Sequence, residues 1–284
     1  MTAFINNTKT VLLLGLLTGL FVAVGGALGQ QFILPFLLLG VGMNVFAWFF
    51  SHRIAIAAMR GREVDEHTGG DLYRIVRDLS ARAGLPMPRV YVCPHEAPNA
   101  FATGRSPRHA AVAVTQGLLR SLDRDEIEGV IAHELAHIKN RDTLTSCVAA
   151  TISGVLASVA QWGFLLGGHH RSNTNPLVAM LTVVLAAVGA AVIRAAISRS
   201  REFVADADGA AIAGSPHGLI SALQKLDAFS RRVPLVQPNP AQNSLFIVEP
   251  LCGNPVSRLF ASHPPVEARV NALLRLGGAR AAAD

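Results

Sequence analysis

Charge is what this chain has least of. Asp, Glu, Lys and Arg make up 15% of its 284 residues, against roughly 25% in ordinary soluble proteins, and mean hydropathy is +0.38. The shortage is uneven: four runs almost empty of charge, residues 11–28, 32–50, 144–168 and 176–193, account for it. Cysteine is scarce too. Cys93, Cys147 and Cys252 are widely spaced and form no C-x-x-C pair, which excludes a disulfide framework and a cysteine zinc site and suits a reducing compartment. The net charge of +6 lacks a basic patch interleaved with aromatics. That speaks against nucleic acid as a partner and for anchoring beside anionic lipid.

Runs of about 20 apolar residues match a helix crossing the hydrocarbon core. A cleaved leader at 11–28 is disfavoured because a second run follows after only three residues, Gly29-Gln30-Gln31. A helical hairpin is the expectation there. Buried core helices are the alternative for 144–168 and 176–193, but their length and their Ser153, Gly154 and Ser158 favour a second membrane hairpin. The basic residues then set the orientation. Arg53, Arg60 and Arg62 follow the second run, Lys139 and Arg141 precede the third, and Arg194, Arg199 and Arg201 follow the fourth. All three groups fall on one side, predicted to be the cytoplasm. The expected organisation is a transmembrane hairpin at 11–52, a first cytoplasmic part at 59–142, a second hairpin at 144–193 and a second cytoplasmic part at 195–284.

Within the polar parts, Leu72, Ile75, Val76 and Leu79 recur at helical spacing and Gly84 stops the pattern, predicting a helix over 71–83. Residues 88–93, 99–104 and 111–115 read as short strands of a small antiparallel sheet. Helices are expected over 125–140, 195–213, 217–229 and from about 266 to 276. The first of these has Ile127, Val130, Ile131, Leu135 and Ile138 on its buried side.

That helix carries "VIAHELAHIKNR". His133 and His137 are four residues apart, so both rings reach one point on one helix face. Two imidazoles so placed bind zinc, with Glu134 beside the open coordination position, where it can deprotonate a water. Histidines satisfied in a core would explain the same residues, so the motif needs a third ligand. Asp142 is too close in sequence to bend back onto that face, and His169 and His170 fall in a loop across the membrane. In "SRSREFVADADGA", Glu202 and Asp206 again share a helix face. Glu202 can ligate the ion, and Asp206 can orient a ligand histidine. A solvated face with these acids paired to arginines such as Arg201 is the plainer alternative. His137 and Glu202 are 65 residues apart, but 50 of those belong to the apolar insertion 144–193. Only 15 residues of polar chain then separate the two helices.

Taken together, the early hairpin, "PNAFATG" at 98–104, "HELAHIKNRD" at 133–142, "SREFVADADGA" at 200–210 and "SHPPVEAR" at 262–269 resemble the HtpX family of membrane-bound zinc endopeptidases. The family is more distantly related to the endopeptidases that trim prenylated CAAX proteins. The resemblance implies a mainly α integral membrane protein with four transmembrane helices and a cytoplasmic α+β zincin-like catalytic domain in the bacterial inner membrane. One Zn2+ per subunit would be held by His133, His137 and Glu202, with Glu134 as acid/base and Asp206 in support. Substrates would be misfolded or damaged membrane proteins, under heat or envelope stress. On this reading Asn99, Ala100 and Phe101 form the substrate-facing strand, and His263, with weaker support from Arg269, stabilises the oxyanion. Two rivals remain: a CAAX-type processing protease, and a non-catalytic zinc-binding membrane adaptor. Oligomeric state has no signature in the sequence.

Overall fold

The computed structural model describes residues 2–146, 184, 199–232 and 264–281. The chain opens with two long helices, α1 (Thr2–Leu28) and α2 (Ile33–Ala58), reversed through Gly29 at φ 135°. They pack side by side, and Asn44 of α2 donates to the Leu14 carbonyl and the Thr18 hydroxyl of α1. Stretches of 20 and 21 residues in them, Phe4–Ala23 and Gln30–Phe50, are long and apolar enough to span a membrane. Their outward side chains are bare: Leu12 is 67% exposed, and Leu34 and Leu38 are each 63% exposed. Apolar surface of that extent in two adjacent helices calls for lipid or a partner to cover it. The expected second hairpin lies outside the described residues, apart from 144–146 and Val184.

The rest of the described chain is a small sheet with helices on one face. Strand β1 (Arg62–Val64) leads into α3 (Glu66–Ala83), which the Asp65 carboxylate caps by accepting from the His67 and Thr68 amides. The helix breaks at Gly70, so its regular part begins where the periodicity predicts, and it stops at Gly84 in the left-handed conformation. Strands β2 (Arg89–Cys93), β3 (Ala100–Gly104) and β4 (Ala110–Thr115) follow, then the short α4 (Gln116–Ser121) and α5 (Arg124–Lys139). After the insertion come α6 (Arg199–Ala213), α7 (His217–Arg232) and α8 (Val266–Ala281). The short β1 and α4 carry no periodicity and are absent from the sequence expectation.

The sheet corrects the antiparallel expectation: it is mixed, in the order β1-β2-β4-β3. From β2 the chain skips one place, runs back along the edge as β3 and returns through the gap as β4. That leaves β4 parallel to β2, with Val90 opposite Val112, and antiparallel to β3, with Ala102 opposite Val112. Every residue of β4 is buried, which suits a central strand covered on both faces. One face of the sheet (Val90, Ala100, Val112, Val114) joins the main core with α3, α5, α6, α7 and α8. The other (Cys93, Phe101, Ala113) packs on Met59 and, through Ala55 and Ile56, on the end of α2. The edge strand β3 thus lies between the apolar hairpin and α5.

Candidate metal centre

Helix α5 starts at a reciprocal cap. Asp123 accepts from the Glu126 amide, and Glu126 accepts from the Asp123 amide. Glu126 is itself buried and bonded to Ser221 and Lys225 of α7, which locks the two helices together. Between Glu126 and Ile138 only Glu128 and His137 of α5 escape full burial. The one-sided burial expected from the pattern is therefore exceeded: the sheet covers one side of the helix, and α6 and α7 cover the other. Three polar side chains inside such a helix need partners.

The two histidines find them in each other, in Asp142 and in α6, and Glu134 finds its partner in β3. His133 Nε2 and His137 Nε2 lie 3.1 Å apart, and each lies 3.8 Å from Glu202 Oε2. These three atoms form a cluster able to hold a metal ion. A triangle with sides of 3.1, 3.8 and 3.8 Å has a circumradius of about 2.1 Å, which matches zinc–nitrogen and zinc–oxygen bonds of about 2.0–2.2 Å. Two ring nitrogens facing each other at such a separation also gain from a cation between them. The donor set fits a metal of borderline softness, with no thiolate among the three.

Behind the donors stands a ring of charged partners. The Asp206 Oδ1 atom lies 3.0 Å from His133 Nδ1, a charge contact without the alignment of a strict hydrogen bond. The Asp142 Oδ2 atom lies 3.0 Å from His137 Nδ1. A carboxylate beside each Nδ1 favours the proton there and leaves the Nε2 lone pair for an ion. Asp206 is also gripped by Arg269 of α8, with Nη2 to Oδ1 at 2.6 Å and Nε to Oδ2 at 2.9 Å. That guanidinium is fully buried, and its Nη2 is 3.5 Å from His133 Nε2.

Two of these partners depart from the sequence expectation. Asp142 is not among the three converging donors, yet the chain does bend it back onto His137, because Arg141 adopts a left-handed φ of 57°. Among the described residues Arg201 pairs with Asp142 at 3.5 Å, and Glu202 and Asp206 are both buried, which a solvated face would not allow.

The electrostatics follow from burial among these charges. Burial pushes the Glu134 carboxyl above the ordinary carboxylate range, although His133 and His137 oppose the rise. Burial pulls His137 down, but the Asp142 and Glu202 carboxylates outweigh it and raise the imidazole to about 9. Burial also pushes Asp206 up. The Arg269 charge and hydrogen bonds overcome that and hold it well below the usual range.

Glu134 reaches sideways to the sheet, where its Oε2 accepts from the Ala102 amide at 2.7 Å. In an antiparallel pair alternate residues address the same neighbour. Ala102 bonding to Glu134 and the Gly104 carbonyl accepting from Thr143 therefore mark 100, 102 and 104 as the residues on the free edge of β3. Ala100 lies on that edge. The Phe101 ring packs on the far face of the sheet with Met59 and Cys93, so this residue lines the strand with its main chain only. Asn99 is buried, its backbone tied to Thr115 on both sides. His263 lies outside the described residues.

The model of peptidase family M48 matches residues 66–276. The chain belongs to peptidase family M48. Relatives described as protease HtpX homologues match almost end to end. The one from Pelotomaculum thermopropionicum is 48% identical over 276 residues, covering 94% of this chain and 98% of its own. Those from Nostoc punctiforme and Thermococcus kodakarensis are each 47% identical, covering 95% and 94% of this chain and 96% and 95% of their own. Among solved structures, S. mikatae Ste24p superposes with a TM-score of 0.54 at 20% identity, over 95% of this chain and 66% of that one. That likeness is one of fold. Membership of M48 makes this protein a metallopeptidase, and its HtpX relatives together with the bare apolar hairpin point to a membrane protein.

Proposed function

We propose that the protein is a zinc-dependent endopeptidase that cuts misfolded or damaged membrane proteins in segments exposed to the cytoplasm. The observation that carries this reading is the meeting of His133 Nε2, His137 Nε2 and Glu202 Oε2 at one point, with Glu134 between that point and the open edge of β3. A bound zinc ion supplies a Lewis acid that polarises a carbonyl and lowers the pKa of water. Asp206 and Asp142 hold the two imidazoles with Nε2 turned to the ion. A substrate chain adds beside β3, where Ala100 and the Ala102 carbonyl lie on the outer edge at strand spacing, with Asn99 at its start and the Ala102 amide held by Glu134. Glu134 takes the proton from the attacking water. The raised affinity of its buried carboxyl for a proton then suits it to deliver that proton to the leaving amine.

The orientation comes from the basic residues flanking the apolar runs: Arg53, Arg60, Arg62, Lys139 and Arg201 all border the polar parts. With four spans, both hairpins would return the chain to the same side, and 199–232 would rejoin α5 there. A non-catalytic adaptor would close its zinc site with four protein ligands. Among the described residues the cluster has three.

The test is Glu134→Gln in detergent-solubilised protein, with casein as an unfolded substrate and farnesylated peptide as the comparison. The reading requires zinc to stay bound while casein cleavage falls by at least a hundredfold, as loss of an acid/base demands. Retained turnover would refute it. Cleavage of farnesylated peptide in preference to casein would favour a CAAX-type processing enzyme.

A further inference from the structure

Helix α1 is apolar along most of its length, yet it buries Asn6 and Thr10, each 2% exposed. The family match begins at residue 66, well beyond them. They lie one helical turn apart, above Leu13 and Leu17, which pack on Leu144. Asn6 Nδ2 donates to the carbonyl of Asn140 at 3.0 Å. Asn140 caps the C-terminus of α5, where helix carbonyls lack partners of their own. The Thr10 hydroxyl meets that of Thr145 at 2.7 Å, and Thr145 also donates to the Asn6 carbonyl at 3.2 Å.

Asn140 opens the turn that ends at Arg141, and Thr145 lies in the helical residues that start at Asp142. In that turn Arg141 takes a left-handed φ, a conformation that a residue with a side chain holds only when its surroundings impose it. The turn brings Asp142 Oδ2 to 3.0 Å from His137 Nδ1. From α6, Asp208 accepts from the Asn140 side chain at 2.8 Å, and Arg201 lies 3.5 Å from Asp142. So α6 holds this segment from one side, and α1 holds both its ends from the other.

We propose that Asn6 and Thr10 of α1 are positioning residues for His137: they fix the 140–145 segment, the turn and the helical start after it, which sets the Asp142 carboxylate against the imidazole. The apolar hairpin is then part of the metal centre's support as well as an anchor. This rests on the reading of His133, His137 and Glu202 as ligands. Partners that orient a ligand change metal affinity by about 10–100-fold when removed, and Asn6 and Thr10 act through one such partner.

The full chain in detergent, stripped of metal, is titrated with zinc against a competing chelator. Asn6→Ala with Thr10→Val lowers zinc affinity about tenfold, while Asn7→Ala and Thr8→Val, on the exposed side of the same helix, leave it unchanged. Thr10→Ser, which keeps the hydroxyl, restores the affinity lost in Thr10→Val. The isosteric Thr10→Val alone serves if the double variant does not fold. In the cobalt-loaded protein the double variant shifts the ligand-field spectrum as the His137 ring turns. A double variant that melts lower yet binds zinc as wild type does would show only structural contacts and overturn the proposal. Wild-type protein that binds no zinc would sink the reading of the metal centre, and the role of Asn6 and Thr10 with it.

Discussion

Gly209 of α6 lies directly against the backbone of His133: a side-chain carbon at 209 would stand 2.9 Å from both His133 Cα and His133 N. Glu202, Asp206 and Gly209 follow one another at helical spacing, so a single stripe of α6 carries one donor, one supporting acid and the point of closest approach. The contact cannot open without drawing the two carboxylates back from the histidines. Gly209→Ala is therefore expected to destabilise the protein by about 1–3 kcal/mol, the range for overpacking a tight contact. It should also reduce bound metal. Thermal unfolding in detergent together with metal analysis checks this; unchanged metal content in folded variant would show that the helices have room to adjust.

Arg269 and Asp206 form a buried pair in which each satisfies the other. Removing one partner of such a pair typically costs about 3–5 kcal/mol, because the remaining charge stays buried and unpaired. Arg269→Met should thus lower the melting temperature markedly and weaken metal binding through the released Asp206. Arg269→Lys keeps the charge but loses the two-pronged grip, and should fall between wild type and Met. Melting curves and zinc titrations of the two variants measure the order.

His137 is raised to about 9 in the metal-free protein, with Asp142 and Glu202 overcoming the effect of burial. Its proton must leave before Nε2 can ligate. Below pH 9 the proton and the metal compete, so apparent affinity falls by up to about tenfold per pH unit from this group, and the competition fades above pH 9. Asp142→Asn removes a carboxylate that raises the imidazole, which moves the onset of competition to lower pH. Zinc titrations between pH 6 and 9.5 on both proteins read this directly.

How far the sequence reveals all this depends on the range of the interaction. His133, Glu134 and His137, like Glu202 and Asp206, are neighbours on single helices, and period alone puts each set on one face. Strand order is different. Nothing within 100–104 says which neighbour it joins, and the parallel pairing of β2 with β4 follows from the path of the whole chain. Alternation along β3 does place Phe101 on the face opposite Ala100 and Ala102, but which face meets the main core is set by the path of the whole chain. Asp142 was hidden for another reason: a continuing helix would carry it away from His137, and only the left-handed Arg141 returns it. Arg269 gave no periodic signal at all, since its partner Asp206 is 63 residues away.

The central claim is that His133, His137 and Glu202 hold one metal ion from two separate helices. Metal content of purified Glu202→Ala, set against wild type and Glu134→Gln, tests it most directly. The account predicts about one zinc per chain in wild type and in Glu134→Gln, with casein cleavage only in wild type, and loss of both metal and cleavage in Glu202→Ala. A Glu202→Ala protein that keeps its zinc at wild-type affinity would contradict it.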